Sequence, residues 1–123
     1  MILLYFMMMN IVREAYGREL QVGLRAVDQQ DVDRAFHHLA RAHILSQRST
    51  LRHVHVHWLM LKLGWTIGDW REVSGQMTRI VAAALFSRIW VPAGNTGRAN
   101  VSAMRPMPVP DDLRVLLDQQ PDV

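Results

Sequence analysis

The sequence contains no cysteine, which excludes disulfides, zinc fingers, iron–sulfur clusters and cysteine nucleophiles. Any metal site in this chain must therefore use histidine, carboxylate, amide or methionine ligands. Long apolar runs are also absent: residues 1–9 are apolar, but a membrane-spanning helix needs roughly 20 such residues. We accordingly expect no membrane span, and we expect a cytoplasmic location.

The length of 123 residues suits one domain with a modest core and is too short for two independent domains. We therefore treat residues 1–123 as a single helical domain. Residues 1–10 lack the basic start and the small-residue cleavage site of a secretion signal. We expect them to be an extension or a frayed end, with a docked apolar cap as the alternative.

The charge pattern argues against a nucleic-acid partner. The net charge of +3 comes from 14 basic and 11 acidic residues, and the arginines are scattered from Arg13 to Arg114. This spread is typical of solvated helix faces, whereas phosphate binding needs a basic stripe or patch. A Ser–His–Asp hydrolase is also excluded, because the sequence has no nucleophile elbow.

Hydrophobic periodicity predicts a helical hairpin in the first half of the chain. Apolar residues recur every three or four positions between Ile11 and Gln29, which is the pattern of a helix with one buried face. A second helix is predicted from Asp31, as its N-cap, to about Gln47. The break between them is short, so the two helices should pack antiparallel.

The third segment, from Arg52 to Trp65, fits two structures. Residues 53–57 alternate histidine with valine as a strand would, and a strand would put these three histidines on one face. The apolar content nevertheless continues without a turn residue, which is long for a lone strand. We favour a helix ended by Gly64 or Gly68, and the strand remains the alternative.

A fourth helix is predicted over Trp70–Arg88, with Asp69 as its cap. Its inward side is expected to carry Val73, Met77, Ile80 and Ala84. Proline and glycine then interrupt any periodicity over residues 89–110, which we expect to wrap over the core, and a short helix from Asp111 to Asp118 follows. The predicted class is all-α: a four-helix antiparallel arrangement of two helical hairpins, an irregular Pro/Gly-rich C-terminal wrap and a short terminal helix. The tryptophans are expected in the core and at its rim: Trp58, Trp65, Trp70 and Trp90.

All six histidines lie in one stretch of the chain: His37, His38, His43, His53, His55 and His57. Imidazole is a common metal ligand and carries protons near neutral pH, so this cluster is a site candidate. Side chains three, four and seven residues apart share a helix face, which places His43, His53 and His57 inward and the other three outward. If the chain turns back near Ser49, the three inward imidazoles meet at one level.

An i, i+4 histidine pair with a third histidine from a neighbouring helix suits a transition metal such as Zn, Ni, Cu or Fe. On the fourth helix, Glu72 and Gln76 are candidate oxygen ligands, and Gln47 and Arg79 are candidate partners that orient the ligands. The alternative is structural, with buried histidines satisfied by these amides and carboxylates and with Glu72 paired to Arg79.

The sequence Gly94-Asn95-Thr96-Gly97 predicts a tight turn with glycine and Asn95 at positive φ. The functional alternative at these four residues is an anion-binding site formed by their backbone N–H groups, known as a nest. Nucleotide binding is not expected, because no strand-to-helix glycine-rich loop with a lysine surrounds the turn.

Several strings of the sequence carry a family resemblance: AFHHLARAHILSQR at 35–48, HVHVHWLMLKLGW at 53–65, DWREVSGQMTRI at 69–80, and SRIWVPAGNTGRANVS with MRPMPVPDDL between 87 and 113. Over about residues 13–117 the chain resembles a bacterial family catalogued as domain of unknown function 3703. The resemblance implies a small, mostly helical bacterial protein whose relatives tend to lie among metal-resistance and metal-efflux genes. Two departures stand out: Ala40 replaces a glutamate usual in relatives, and Gln30-Asp31 replaces a Gly-Asp turn.

A weaker likeness relates the first hairpin to a tetratricopeptide unit. It rests on small and apolar residues at spacings that let two helices pack closely: Gly23, Ala35, Leu39 and Ala42. A single such unit cannot bury its own face, and the later helices do not repeat the pattern. The likeness therefore suggests a hairpin geometry and only distantly a peptide-binding groove.

The sequence favours a metal-binding or metal-handling accessory protein that uses the inward histidines. The first alternative is a helical protein-interaction module with structural histidines, acting on a protein partner or as a homo-oligomer. The second alternative is a metal-dependent enzyme, which we favour least because no complete catalytic motif is present.

Overall fold

The computed structural model describes residues 1–86 and 92–120, and the regular structure in these ranges is entirely helical. The helices are α1 (Ile2–Asp28), α2 (Val32–Leu45), α3 (Thr50–Ile67), α4 (Trp70–Phe86) and α5 (Asp111–Asp118). α1 packs against α2, and α3 packs against α4, which confirms the predicted all-α class with two hairpins. The predicted end of the fourth helix at Arg88, the start of the wrap, and Trp90 lie outside the described residues.

Side-chain signals define the helix ends. Asp31 and Asp69 each accept a backbone N–H in the first turn of α2 and α4, as predicted. Ser49 does the same for α3, and Gly68, with a left-handed φ of 72°, caps the C-terminal end of that helix. Residues 52–58 therefore lie inside α3, and the strand alternative is wrong.

The first helix includes residues 2–10, which were predicted to be an extension or a frayed end. α1 begins at Ile2, and the side chains of residues 1–7 are exposed, so they do not form the docked cap. This segment contains neither glycine nor proline, so nothing in its local sequence ends the helix before Ile11. No helix in the described part of the chain is long and apolar enough to cross a bilayer.

One apolar core joins α1, α2, α3 and α5. Its fully or almost fully buried members include Val12, Leu39, Met60 and Leu113. Close packing of this kind supplies about 25 cal/mol for each Å² of apolar surface removed from water. The core therefore fixes α2 against α3, which matters because each of these helices contributes to the site described below.

The inward face of α4 differs from the predicted one. Its buried residues are Glu72, Val73, Gln76 and Ala83. Met77, predicted to face inward, is 58% exposed. Two polar side chains occupy inward positions because hydrogen-bond partners meet them there, as buried polar groups require.

Three tryptophans are on the surface, where the core and its rim were predicted. Trp58, Trp65 and Trp70 are each more than half exposed. Trp65 and Trp70 meet edge to face across the α3–α4 turn, with ring centroids 5.0 Å apart. The prediction failed because α3 is apolar on most of its circumference, so its pattern does not identify one inner face.

The described part of the wrap, residues 92–110, has no regular secondary structure. It buries Gly94, Asn95 and Gly97, and Val109 packs against the core. Met104, in the same segment, is 66% exposed. The buried part of the wrap is therefore its first turn, and that turn covers the histidines.

Candidate metal centre

Three histidines from two helices meet at one buried point, as the sequence predicts. His43 lies in the last turn of α2, and His53 and His57 lie one turn apart at the start of α3; their exposures are 4%, 7% and 2%. The Nε2 atom of His43 is 2.9 Å from Nε2 of His53 and 3.2 Å from Nε2 of His57. Among the described histidine, aspartate and glutamate residues, these three form the group that could hold one ion.

The other three histidines lie away from this point. His37 and His55 are exposed, whereas His38 is partly buried between α1 and α2. The Nδ1 atom of His38 lies 2.7 Å from the Glu19 carboxylate, so this histidine joins two helices. His43, His53 and His57 thus lie inward and His37 and His55 outward, as predicted, whereas His38, predicted outward, is partly buried in a contact between α1 and α2.

The register of the cluster depends on the turn between α2 and α3. The Ser46 backbone N–H and hydroxyl both donate to the His43 carbonyl, which ends α2 at Leu45. The chain then re-enters a helix after Ser49, close to the predicted turn. Gln47 was predicted one helical turn beyond His43, but it lies outside the helix, and no hydrogen bond in the described structure joins it to an imidazole.

His43 is oriented by the wrap. Its Nδ1 atom lies 2.7 Å from the backbone carbonyl oxygen of Asn95. A carbonyl oxygen only accepts hydrogen bonds, so Nδ1 must carry the proton and donate it. In the neutral ring, Nε2 then has a lone pair, which points toward His53 and His57.

His57 is oriented in the same way by Gln76. The Gln76 amide nitrogen donates to Glu72 Oε1 at 2.7 Å and to the Gly97 carbonyl at 2.8 Å. The amide oxygen must therefore face His57, whose Nδ1 lies 2.6 Å away and donates to it. Gln76, predicted as a ligand, thus binds the far side of the ring and turns a second Nε2 lone pair inward.

Glu72 lies behind Gln76 and does not contact the imidazoles. Its carboxylate is 2% exposed and also accepts the Ala99 backbone N–H at 3.4 Å. Arg98 supplies the opposite charge, with Nε 3.2 Å from Glu72 Oε1, as an ion pair without hydrogen-bond alignment. The Arg98 guanidinium also stacks on Phe36, 3.4 Å from the ring centroid. Glu72, predicted as a ligand or an orienting acceptor, is placed to act through Gln76.

Arg79 ties α4 to the wrap. Its guanidinium donates to the Gly75 carbonyl at 3.1 Å and to the Val101 carbonyl at 2.7 Å. The predicted ion pair between Glu72 and Arg79 is not formed in the described structure, because Arg98 takes the carboxylate. Burial is the main cause of the low pKa values of His43 and His57, and the positive charge of Arg79 lowers both pKa values further.

The turn at residues 94–97 combines predicted and unpredicted features. Gly94 and Gly97 have positive φ angles of 71° and 76°, as predicted, whereas Asn95 does not, and that part of the prediction is wrong. The Asn95 side chain accepts the Gly97 N–H and donates to two carbonyls of the wrap. Thr96 Oγ1 accepts the Arg98 N–H. These N–H groups are bound within the turn, so the geometry gives no support to an anion nest, and the turn presents a carbonyl oxygen to His43.

The three imidazoles are neutral near pH 7. Burial lowers the pKa of His53 to about 4. Burial, reinforced by the neighbouring His53, lowers the pKa of His57 to about 3 although the hydrogen bond to Gln76 opposes the shift. Burial and both neighbouring histidines lower the pKa of His43 well below its ordinary value. Neutral imidazole is the form that binds metals.

Two of the three nitrogen–nitrogen separations in the cluster are close to those of a transition-metal site. Four tetrahedral ligands with metal–nitrogen bonds of about 2.0–2.1 Å place their nitrogen atoms about 3.3–3.4 Å apart. The two Nε2 separations of 2.9 and 3.2 Å are within a few tenths of an ångström of this spacing. His43 and His57 also donate their other ring N–H to an oxygen acceptor, which is the usual arrangement of ligating histidines.

Sequence reasoning identified the imidazoles, assigned Asn95 and Gly97 to a turn or an anion nest rather than to the histidines, and did not name Arg98. The two glycines around Asn95 were the available sequence signal for this contact. The prediction assigned them to a turn and did not place that turn against the histidines. An irregular segment has no periodicity, so its side chains cannot be assigned to a face from sequence alone.

Comparison with known proteins identifies a family for this chain. No curated protein and no solved structure matches the chain, so the tetratricopeptide likeness and the bacterial origin stay predictions. The family model described as protein of unknown function (DUF3703) matches residues 10–117, a span that includes each of the three histidines and the residues that orient them. The chain therefore belongs to the DUF3703 family of proteins of unknown function.

Proposed function

We propose that this protein binds one transition-metal ion through the Nε2 atoms of His43, His53 and His57 and acts as a metal-handling accessory protein. The observation that carries the proposal is the fixed orientation of two rings. The Asn95 carbonyl and the Gln76 amide oxygen hold protons on the outer nitrogens of His43 and His57, so that both inner nitrogens present lone pairs to one point.

A purely structural role of the three histidines explains the orientation of their rings less well than metal binding does. A buried structural histidine needs its own hydrogen bonds satisfied, and it does not need to aim a lone pair at other imidazoles. Without an ion, the inward lone pairs of His43 and His57 face each other at 3.2 Å with no proton between them, and the N–H that His53 can supply reaches His43 at 2.9 Å. A cation at the centre satisfies all three nitrogens together.

The residues behind His57 support the same function. Glu72 accepts from Gln76, and Gln76 accepts from His57, so a buried negative charge is connected to the outer side of a ligand. Acceptors of this kind fix the tautomer of a ligating imidazole and raise its basicity. The donor set consists of neutral imidazole nitrogens, which suits Zn, Ni, Cu or Fe.

Metal content of protein purified without an affinity tag tests this proposal. We expect about one equivalent of a transition metal in the wild-type protein after exposure to Zn, Ni, Cu or Fe(II) and removal of the excess. The His43→Ala variant should retain less than a tenth of an equivalent, while the exposed His37→Ala and His55→Ala variants should match the wild type. A wild-type protein with less than a tenth of an equivalent and no thermal shift with any of these metals contradicts the proposal.

A second candidate function is a helical interaction module, and the exposed tryptophans favour it. Trp58, Trp65 and Trp70 are exposed on α3 and α4, and tryptophan is enriched at protein interfaces. Light scattering over a range of protein concentrations tests self-association, with Trp65→Ser as the variant. A mass that stays monomeric for both proteins removes the homo-oligomer from this candidate. The two candidate functions depend on different residues, so a negative result in one test does not argue against the other function.

A further inference from the structure

His53 differs from the other two histidines in what lies behind its ring. His43 and His57 each donate their outer N–H to an oxygen, whereas the Nδ1 atom of His53 is buried and has no hydrogen-bond partner among the described residues. His53 can satisfy a ring N–H only by holding the proton on Nε2, from which it donates to His43 at 2.9 Å. In the ion-free protein, this proton occupies the position that a metal ion would take.

Metal binding therefore changes the proton position of one ring only. His43 and His57 already hold their protons on Nδ1 and keep them there when an ion binds. His53 must move its proton from Nε2 to Nδ1, so one N–H bond breaks and another forms, with no net proton release. The new N–H has no acceptor in the described structure, so His53 is the least supported of the three ligands.

The positions of the rings leave His53 the least enclosed of the three. It lies in the first turn of α3 and is the most exposed of the three at 7%. His57 lies one turn deeper in the helix at 2% exposure, bound to Gln76 from α4. His43 is bound to the wrap through Asn95, so the two supported rings are each anchored to a different segment of the chain.

We infer that His53 is the exchange ligand of the site: an ion is held by His43 and His57, and His53 attaches last and detaches first. The inference rests on the proposed function and narrows it, because a site with one detachable ligand transfers its ion to an acceptor more readily than it stores it. When the ion leaves, the proton of His53 returns to Nε2 and again donates to His43. The same position thus holds a proton or a metal ion in alternation.

Zinc release to a chelator tests the inference on the full-length protein. Each protein is loaded with Zn(II) and mixed with an excess of a coloured chelator, and the release rate is followed by absorbance. We expect His53→Ala to take up one equivalent and to release it at least tenfold faster than the wild type. The His43→Ala and His57→Ala variants should retain less than a tenth of an equivalent. His55→Ala, an exposed position on the same helix, serves as the control and should release zinc at the wild-type rate.

The outcomes separate this inference from the proposed function. If the wild-type protein takes up no zinc or other transition metal, the proposed function fails. If the wild type binds zinc and the three cluster variants lose it equally, the exchange role of His53 is wrong and the proposed function stands.

Nitrogen-15 NMR of the labelled imidazoles supplies a readout that needs no variant. In the ion-free protein we expect His43 and His57 to be protonated at Nδ1 and His53 at Nε2. After addition of Zn(II), His53 should be protonated at Nδ1, and the other two rings should keep their tautomers. A proton on Nδ1 of His53 before zinc is added overturns the inference.

Discussion

Gly97 lies directly against the imidazole face of His43. A Cβ atom built on Gly97 would stand 2.6 Å from Cδ2 and 2.9 Å from Nε2 of that ring, distances at which real side chains do not pack. The backbone of Gly97 also has a positive φ of 76°, which L side chains rarely adopt. The wrap therefore covers the site with a residue that has no side chain. The Gly97 carbonyl also points into the site and accepts a hydrogen bond from the Gln76 amide.

The first prediction concerns this contact. Gly97→Ala should destabilise the protein by about 2–4 kcal/mol, because the methyl group meets His43 and the backbone angle is strained. Urea denaturation of the ion-free protein measures the change. Gly17→Ala is the matched control: its Cβ meets no atom within 4 Å in the middle of α1, so it should stabilise by about 0.5–1 kcal/mol. A Gly97→Ala protein as stable as the wild type contradicts the close contact.

The second prediction concerns pH. The folded pKa values of His53 and His57, about 4 and about 3, lie below the ordinary value of 6.5, and that of His43 is also lowered. As the pH falls below about 6.5, the unfolded chain binds protons that the folded protein does not. Stability is therefore full above this pH and decreases as the pH falls from about 6 toward 4, because each histidine that stays neutral in the folded protein takes up a proton on unfolding.

Urea denaturation of the ion-free protein at a series of pH values measures this slope. His53→Ala removes one of the three groups and should reduce the slope by roughly 1 kcal/mol per pH unit. A free energy of unfolding that is constant between pH 7 and pH 5 shows that the imidazoles are not buried in the neutral form.

The third prediction concerns the residue that orients His57. Gln76→Ala leaves the Nδ1–H of His57 without its acceptor and should weaken metal binding about 10- to 100-fold, as expected for a lost partner of a ligating histidine. Competition with a chelator of known affinity measures the change. Gln47→Ala is the control and should bind metal as the wild type does, because Gln47 lies outside α2 and forms no hydrogen bond to the described cluster. Equal loss in both variants contradicts the assignment of Gln76.

The fourth prediction concerns the buried carboxylate. Arg98→Ala removes the cation 3.2 Å from Glu72, whose side chain is 2% exposed, and also the stack on Phe36. We expect the free energy of unfolding to fall by about 2–4 kcal/mol. The decrease should be smaller than for a fully buried ion pair, because Arg98 is itself partly exposed. Arg18→Ala removes an exposed pair with Glu14 and should change stability by less than about 1 kcal/mol. Similar effects of both substitutions in thermal or urea unfolding contradict the buried role of Arg98.

Helical geometry made the histidine positions predictable. Each residue advances about 100°, so the apolar stripe of α2 placed His43 inward, and the i, i+4 spacing placed His53 and His57 together. Only the turn near Ser49 was needed to bring the two helices into register, and short connections make antiparallel neighbours. Local rules therefore account for the positions of the three inward histidines.

The partners of the histidines could not be predicted in the same way. Asn95 reaches His43 from an irregular segment, and no periodic pattern assigns such residues to a face. Gln47 was predicted by continuing α2, but the bonds from Ser46 to the His43 carbonyl end that helix earlier. The surface position of Trp58 was missed because α3 is apolar around most of its circumference, so packing against α2 and α4 decides which side is covered.

The central claim is that one ion binds between the three imidazoles. A crystal of the protein soaked in Zn(II) and measured on both sides of the zinc absorption edge tests it most directly. The account predicts one anomalous peak about 2.0–2.1 Å from the Nε2 atoms of His43, His53 and His57. A peak confined to the exposed His37 and His55, or no peak in a crystal that contains the soaked metal, contradicts it.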